Sequence, residues 1–322
     1  YKEGSPWQGY RQFCQHFLAP LALMSYCDLR SNQLSRIFMD GIPLDLASSL
    51  LPLRSFFSLS IVSHIHMHAR SQWKYANTKT RVSRPAVHIP RKNLIAFIHY
   101  LESFIQKLHP IKQKTEWQHY YRDTNYSDSA FDLKKKMVGD FLKISKPKIV
   151  WDIGANSGEF SRVASDQGID TISFDVDPVA VEHNYLEMKR RNEKHILPLV
   201  LDVTNPSPAI GWNNEERSSL AERTTADIVL ALALVHHLAL SHNLPLGMIA
   251  EYFHKTAPHL VIEFVPKDDS QVKRLLASRK DIFPDYSEQK FEEEFGNYFH
   301  IKQKREISGS KRHVYLMSRK DA

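Results

Sequence analysis

The segment that most constrains the fold runs from Val150 to Phe160 and reads VWDIGANSGEF. A short apolar run ends in an acidic residue, a turn with two glycines follows, and polar residues then begin a helix. This order predicts a strand–loop–helix unit. Glycine adopts positive φ angles and has no Cβ, so the backbone of such a turn can approach a ligand closely. Asn156 or Ser157 is expected to cap the helix, whose free N–H groups attract a negative group.

The glycine spacing separates this turn from two phosphate-binding loops. A dinucleotide-binding fingerprint has glycine at its first, third and sixth positions. Counted from Gly154 as the first position, the third is Asn156 and the sixth is Glu159. A P-loop requires Gly-Lys before Ser or Thr, which this segment lacks. The remaining pattern is Asp152, Gly154 and Gly158, or Asp-x-Gly-x-x-x-Gly. It resembles motif I of the class I S-adenosyl-L-methionine (SAM) methyltransferases.

Strands and helices alternate after this turn. Apolar runs predict strands at 149–152, 171–176, 196–203, 227–234 and 260–265, and helices are predicted between most of them. Two further runs, 299–307 and 313–318, flank Ser-Gly-Ser-Lys and predict an antiparallel hairpin. The order predicts an α/β, Rossmann-like sheet and resembles the class I methyltransferase sheet, which has seven strands with the last antiparallel.

The first part of the chain reads as mainly helical. Helices are predicted at 13–26, 44–51, 94–108 and 131–142, and basic residues with two prolines predict a loop or linker over 70–92. The predicted domains are a helical, basic substrate or accessory domain over 1–114 and a SAM-binding methyltransferase domain over 115–322.

Charge is distributed unevenly along the chain. Residues 1–148 contain 22 Lys and Arg against 10 Asp and Glu, whereas residues 149–322 contain 21 against 26, within a net charge of +7. The basic half either meets an anionic partner or has an ordinary solvated surface. Nucleic acid is therefore a possible but not favoured partner, and Tyr120, Tyr121 and Tyr126 would either stack bases or pack in a core.

Location is predicted from what the sequence lacks. No apolar run approaches the ~20 residues required to span a membrane, and no secretory signal is visible at the start. The two cysteines, Cys14 and Cys27, favour reduced thiols over a disulfide. We therefore expect a cytoplasmic protein.

The resemblance to motif I implies a set of SAM-binding residues at the carboxyl ends of the strands, where open α/β sheets bind ligands. Asp152 would help to hold the methionine amino end, Asp175 the ribose hydroxyls and Asp202 the adenine amine, since a carboxylate offers two acceptor oxygens. The complete expected set is Asp152, Gly154, Asn156, Gly158, Asp175, Asp202 and Ala231.

Candidates for the chemistry follow the fourth and fifth strands. His236 or His237 is expected to contact the acceptor or act as general base, because histidine titrates near neutrality; the alternative is packing at the sheet edge. Glu263 lies in an apolar strand, where a charge requires a partner, and either contacts substrate or a cation or pairs with a basic residue. The Asn/Asp-Pro-Pro-aromatic signature of amino-methyltransferases is absent after strand four.

Three further groups have open alternatives. Lys134 and Lys135 either approach the SAM carboxylate or form a solvated face, and Trp212 and Arg217 either cover the site or lie in a surface loop. His64, His66 and His68 would share one face of a strand, where they could bind a metal such as zinc, whereas on a helix only His64 and His68 are neighbours. The other alternative is a structural or substrate-facing cluster. No metal site is predicted, because no Cys or carboxylate stands nearby to complete one.

Longer segments resemble a bacterial family of methyltransferase-like proteins that includes rhizobial nodulation host-specificity proteins. They include SPWQGYRQFCQHFLAPLAL (5–23), DGIPLDLASSLLP (40–52) and IEFVPKDDSQVKRLLASRKDIFPDY (262–286). The resemblance implies a SAM-dependent methyltransferase whose unidentified acceptor is a small molecule or glycan-like metabolite. The alternatives are an RNA methyltransferase and a non-catalytic SAM-binding or scaffold protein.

Overall fold

The computed structural model describes residues 4–76, 88–110, 128–223, 225–277 and 280–321. The chain divides into two compact units. The first comprises Tyr1–Gln113 and Ser207–Ser218, and the second Lys114–Pro206 and Ser219–Ala322. The predicted boundary between 114 and 115 lies outside the described residues, as do Tyr120, Tyr121 and Tyr126.

The first unit is helical, as the sequence predicts. Its helices are α1 Tyr10–Phe13, α2 Ala19–Tyr26, α3 Leu44–Leu50, α4 Leu59–Ile61, α5 Met67–Ala76 and α6 Arg91–Ile105. Two π-helical segments, Cys14–Leu18 and Val62–His66, join α1 to α2 and α4 to α5, and 3-10 turns cover Leu29–Arg36, Leu53–Phe57 and Trp212–Asn214. Buried apolar side chains from α2, α3 and both π-helical segments form its core.

One prediction for this unit is wrong. Residues 70–76 belong to α5 and are helical, although a loop was expected from residue 70 onward. The helical run that begins at Leu59 meets no glycine or proline before Pro85, so nothing in the sequence ends it at residue 70. The rest of the expected linker lies mostly outside the described residues.

The second unit is built on a seven-stranded sheet. Its strands are β1 Ile149–Ile153, β2 Asp170–Asp175, β3 Ile196–Val200, β4 Ile228–Ala231, β5 His259–Phe264, β6 Phe299–Glu306 and β7 His313–Arg319. Their spatial order is β3-β2-β1-β4-β5-β7-β6. The first five strands pair with one another in parallel, and β7 is antiparallel to both of its neighbours, β5 and β6. The predicted class I methyltransferase sheet is confirmed.

Helices cover both faces of this sheet. They are α7 Asp128–Ser145, α8 Glu159–Ser165, α9 Pro178–Arg191, α10 Leu220–Arg223, α11 Leu246–Thr256, α12 Ser270–Leu276 and α13 Glu288–Gly296, with a π-helical segment at His237–Ser241. Apolar residues of α7 and α8 pack on one face and those of α11 and α13 on the other. Asp177 caps α9 as predicted, accepting from the backbone N–H of Val179 at 2.9 Å. In the parts of the chain that the structure describes, no helix is long and apolar enough to cross a membrane.

Candidate cofactor site

The glycine turn follows β1 and adopts left-handed backbone angles at three positions. The φ angles are 78° at Gly154, 51° at Asn156 and 81° at Gly158. Gly158 occupies the N-cap position of α8 in this conformation, and its lack of a side chain leaves α8 without a side-chain cap among the described residues. The expected cap by Asn156 or Ser157 is therefore wrong. The Oδ1 atom of Asn156 instead accepts from the backbone N–H of Ser157 at 2.9 Å.

Gly158 is required by packing inside the protein. A Cβ at this position would lie 2.4 Å from Oδ1 of Asn184, which is buried in α9. The Asn184 amide is itself fixed, because its Nδ2 donates to Oγ of Ser173 at 2.8 Å. The absence of a side chain at Gly158 thus allows α9 to approach the turn.

A cavity of about 450 Å³ opens at the carboxyl ends of β1, β2 and β4, beside the glycine turn. Six of the residues predicted for the site line it: Asp152, Gly154, Asn156, Asp175, Asp202 and His237. Four others are buried elsewhere in this unit: Gly158, Ala231, His236 and Glu263. The cavity therefore gathers the acids of three successive strands around the turn.

Asp152 is a buried polar residue of this cavity and is 2% exposed. Oγ of Ser161, on α8, donates to its Oδ2 at 2.6 Å. Burial raises the pKa of Asp152 to about 7, an effect that the hydrogen bond from Ser161 opposes. A cationic or hydrogen-bond-donating ligand would stabilise the charged form of this carboxyl group and so lower its pKa.

Asp175 ends β2 and joins it to the glycine turn. Its Oδ2 accepts from the backbone N–H of Asn156 at 2.7 Å, and its Oδ1 accepts from the backbone N–H of Asp177 at 2.9 Å. Burial raises the pKa of Asp175 to about 6 although these backbone donors lower it. Each oxygen has two acceptor lone pairs, so the carboxylate keeps acceptor capacity toward the cavity.

Asp202 follows β3 and lies in a tight polar turn. Its Oδ1 accepts from both the backbone N–H of Thr204 at 2.8 Å and the Thr204 hydroxyl at 2.6 Å. These bonds fix the orientation of the carboxylate, which lines the cavity together with Val203 and Thr204.

The wall beyond β4 begins one residue later than expected. Ala231 is fully buried in the sheet, whereas Leu232, Ala233 and Leu234 line the cavity. The predicted strand to residue 234 ends at Ala231, because Ala233 turns the chain with a φ of 49°.

The two adjacent histidines take different positions. His237 lines the cavity, whereas His236 is 1% exposed, and their rings stand 4.1 Å apart. Burial lowers the pKa of His237 to about 4, with the charge of His242 acting in the same direction. Burial likewise holds the pKa of His236 well below its ordinary value. Both imidazoles are therefore neutral at pH 7.

A π-helical segment brings His242 to the same wall as His237. The backbone N–H of His242 donates to the carbonyl oxygen of His237 at 3.2 Å, which aligns residues five apart along the chain. Ser241 and His242 both line the cavity. Sequence reasoning missed these two residues. For His242 the reason is that a regular α-helix aligns position 237 with 241 and not with 242.

Glu263 pairs with basic residues, one of the alternatives that its sequence context left open. Its Oε2 lies 2.6 Å from Nζ of Lys134 and its Oε1 lies 3.3 Å from Nη1 of Arg312, and all three side chains are at most 3% exposed. Lys134 also lines the cavity, with Nζ 4.5 Å from the centre of the Phe160 ring. The alternative of a solvated lysine face is thus wrong for Lys134, whereas Lys135 is partly exposed and pairs with Glu159 at 2.6 Å.

The histidines of the first unit lie in a helix and not in a strand. Tyr10 hydrogen-bonds to Nδ1 of His64, and its ring lies 5.3 Å from that of His68, so His64 and His68 share a neighbour as expected for a helix. His66 points elsewhere and is held by Ser48 at 2.7 Å and Ser55 at 2.9 Å. All of these contacts join residues of the first unit.

The loop residues Trp212 and Arg217 belong to the first unit. Arg217 donates from Nη1 and Nη2 to the carbonyl oxygens of Ser35, at 3.2 Å, and Arg36, at 2.8 Å. Trp212 is 85% exposed. Arg217 therefore anchors the loop to the 3-10 turn at Leu29–Arg36.

Comparison with known proteins identifies the family. No model of a known protein family matches the chain. The nodulation protein NoeA of Rhizobium meliloti strain 1021 is 36% identical over 326 aligned residues, which cover all of this chain and 68% of NoeA. The chain belongs to the NoeA family. The expected resemblance to rhizobial nodulation proteins is thereby confirmed.

Solved structures show weaker likenesses to this NoeA-family chain. The N-methyltransferase NodS of Bradyrhizobium japonicum WM9 is 12% identical, with 61% of this chain and 99% of NodS covered and a TM-score of 0.43. Magnesium protoporphyrin IX methyltransferase of Synechocystis PCC 6803 is 15% identical, with 71% and 100% covered and a TM-score of 0.44. A SAM-dependent methyltransferase of Aquifex aeolicus is 18% identical, with 64% and 100% covered and a TM-score of 0.44. Because these scores lie below 0.5, the fold assignment rests on the observed strand order.

Proposed function

We propose that this NoeA-family chain is a SAM-dependent methyltransferase. The observation that carries the proposal is the convergence of Asp152, Asp175 and Asp202 with the glycine turn on one cavity. Three carboxylates disfavour a phosphate-bearing ligand by like-charge repulsion. They suit SAM, which presents a cationic ammonium, a ribose diol and an adenine amine as donors.

The residues that would hold SAM follow from their positions in the sheet. Asp152 and the backbone of Gly154 would receive the methionine amino end, and Asp175 would accept from the ribose hydroxyls. Asp202, with its orientation fixed by Thr204, would accept from the adenine amine. When bound, SAM supplies an electrophilic methyl group on a sulfonium.

The wall formed by His237, Ser241 and His242 is the proposed acceptor side. Burial holds the pKa of His237 at about 4, so its imidazole is unprotonated at neutral pH and can accept the proton of a hydroxyl nucleophile. Ser241 and His242 lie on the same wall and provide hydrogen bonds that orient the acceptor. Methyl transfer then requires only that the nucleophile be held in line with the methyl group.

We propose a hydroxyl-bearing small molecule or glycan-like metabolite as acceptor. A hydroxyl acceptor matches the unprotonated imidazole of His237 on this wall of the cavity. The name of the nodulation protein NoeA connects that relative with nodulation, which favours a metabolite of that process. Cytoplasmic location is part of the same proposal, since SAM is an intracellular donor.

A transfer assay tests the proposal. The purified chain is incubated with methyl-labelled SAM and fractionated bacterial extract, and SAM binding is measured separately by calorimetry. We expect label in a small-molecule fraction with the wild type, and a fall in kcat of about 100-fold or more in His237→Gln with unchanged SAM affinity. His236→Gln is the matched control, because this neighbour is buried away from the cavity.

Other outcomes identify the alternatives. Label in a fraction that ribonuclease removes would favour RNA as the acceptor. Tight SAM binding without transfer to any fraction would favour the non-catalytic protein. If His237→Gln retained full kcat, the proton-accepting role of His237 would be wrong.

A further inference from the structure

Ala233 has an unusual backbone conformation at a position that faces the cavity. It follows β4 by two residues and has a φ of 49°, in the left-handed region that a residue with a Cβ rarely adopts. Such a conformation persists only where surrounding contacts determine it. The contact that holds Ala233 comes from Glu263, whose Oε2 accepts its backbone N–H at 2.8 Å.

The Glu263 carboxylate is itself held from several elements. Lys134, on α7, approaches its Oε2 to 2.6 Å, and Arg312, just before β7, approaches its Oε1 to 3.3 Å. Arg312 is fixed in turn by Asp269, with Nε 2.8 Å from Oδ2 and Nη2 3.0 Å from Oδ1. Asp269 caps α12 through the backbone N–H of Gln271. A buried ionic network thus fixes the carboxylate that holds Ala233.

The turn at Ala233 leads directly to the acceptor wall. The carbonyl oxygen of Leu234 accepts from the backbone N–H of His237 at 2.9 Å and from that of Leu238 at 3.2 Å. These bonds begin the segment that places His237 on the cavity. A change in the backbone at Ala233 would therefore move His237 relative to the glycine turn on β1.

We propose that Glu263 is a positioning residue, which fixes Ala233 in its left-handed conformation and so sets the place of His237 in the cavity. Glu263 acts through the backbone and does not touch either ligand, in contrast to the catalytic contact considered from the sequence. The effect of Glu263 on methyl transfer rests on the proposed function. Its effect on the backbone conformation of Ala233 does not depend on whether the protein transfers a methyl group.

A double-mutant cycle between Glu263 and Ala233 tests this role. Glu263→Gln is expected to lower kcat by about 100-fold through misplacement of His237, with SAM affinity changed by less than about twofold. Ala233→Gly removes the cost of the left-handed conformation, so the same Glu263→Gln change should lower kcat much less in the Ala233→Gly background. Contacting residues couple in this way, whereas a carboxylate that touches the acceptor would show no such rescue.

Hydrogen exchange over residues 232–238 provides a readout without turnover. Glu263→Gln should increase the exchange rate of these backbone amides by about tenfold or more, because local opening becomes easier. Adding Ala233→Gly should reverse part of this increase. If Glu263→Gln does not fold, Lys134→Met/Glu263→Gln removes both charges and takes its place. Unchanged exchange, or no rescue by Ala233→Gly, overturns the positioning role. Absence of methyl transfer by the wild type would refute only the proposed function, because the exchange result still decides the role of Glu263.

Discussion

The backbone N–H of Asn156 donates a hydrogen bond of 2.7 Å to Oδ2 of Asp175, and this bond joins the glycine turn to the end of the second strand. The same carboxylate accepts from the backbone N–H of Asp177 on its other oxygen. Asp175 therefore shapes the turn and faces the cavity at once. Its protonation state affects both the protein and the ligand.

SAM affinity should depend on pH through Asp152 and Asp175. Burial raises their pKa values to about 7 and about 6, and both bind the cationic and hydrogen-bond-donating groups of SAM more strongly when they are ionised. Between pH 7.5 and pH 5.5 we expect affinity to weaken by about 10- to 100-fold, measured by calorimetry. A dissociation constant that stays level over this interval would contradict the assignment. Because the pKa of His237 is about 4, titration of His237 does not account for this acid limb.

The stability of the unliganded protein should show the titration of Asp152 separately. Its folded pKa of about 7 exceeds the ordinary value of 3.8, so the folded state binds more protons than the unfolded chain between these values. Its contribution to stability is therefore present at low pH and is lost as pH rises through about 7. Asp152→Asn removes this loss while keeping an acceptor for Ser161.

Urea unfolding between pH 4.5 and 7.5 tests that expectation. As pH increases, the free energy of unfolding of Asp152→Asn minus that of the wild type should grow by up to about 1.4 kcal/mol per pH unit. The histidines, whose lowered pKa values act in the opposite direction, are common to both proteins and cancel in the difference. Parallel pH profiles for the two proteins would show that Asp152 does not titrate in this window.

Gly158→Ala should destabilise the fold more than Gly168→Ala. Both glycines have positive φ, 81° and 76°, but a Cβ at Gly158 would lie 2.4 Å from Asn184 whereas one at Gly168 would meet nothing within 4 Å. Gly168→Ala should cost about 1–2 kcal/mol from the left-handed conformation alone. Gly158→Ala should add at least ~1 kcal/mol from the clash. Equal costs in denaturant unfolding would show that the Asn184 amide yields freely.

Lys134 and Lys135 should differ sharply although they are adjacent. Lys134→Met leaves Glu263 without its nearer cation in a fully buried site, and should lower the free energy of unfolding by about 3–5 kcal/mol. Lys135→Met removes a partly exposed pair with Glu159 and should cost about 0–1 kcal/mol. Similar losses for the two variants would mean that the buried pair contributes no more than the surface one.

Much of the second unit could be predicted from the sequence, because its strands are apolar runs bounded by turns and acids. The positions of Asp152, Asp175 and Asp202 at strand ends are enough to predict that they lie at one edge of the sheet. For Lys134 the sequence left open both a position near the cofactor and a solvated face, because this residue stands in a run of three lysines. Lys134 lies four residues after Ala130 and three before Met137, which places it on the buried face of α7. This helical spacing, together with a glutamate in an apolar strand at Glu263, was the sequence signal for a buried lysine.

Other features depend on tertiary contacts that local patterns do not record. The left-handed turn at Ala233, two residues after the end of β4, is hydrogen-bonded to Glu263, which lies 30 positions away in the chain. The alignment of His237 with His242 depends on a π-helical hydrogen bond, which the apolar spacing does not distinguish from an α-helix. The hairpin of β6 and β7 was predictable, and helix α13 was missed although Phe291 and Phe295, one helical turn apart, are both buried.

The most direct test of the account is titration calorimetry of SAM into the wild type, Asp175→Ala and Asp177→Ala at pH 7.5. Asp175 faces the cavity, whereas Asp177 caps α9 two residues later and serves as the matched control. We predict one SAM bound per chain, affinity weakened at least ~10-fold in Asp175→Ala through loss of charge-assisted hydrogen bonds, and little change in Asp177→Ala. No binding by the wild type, or equal affinity in Asp175→Ala, would contradict the assignment of this cavity to SAM.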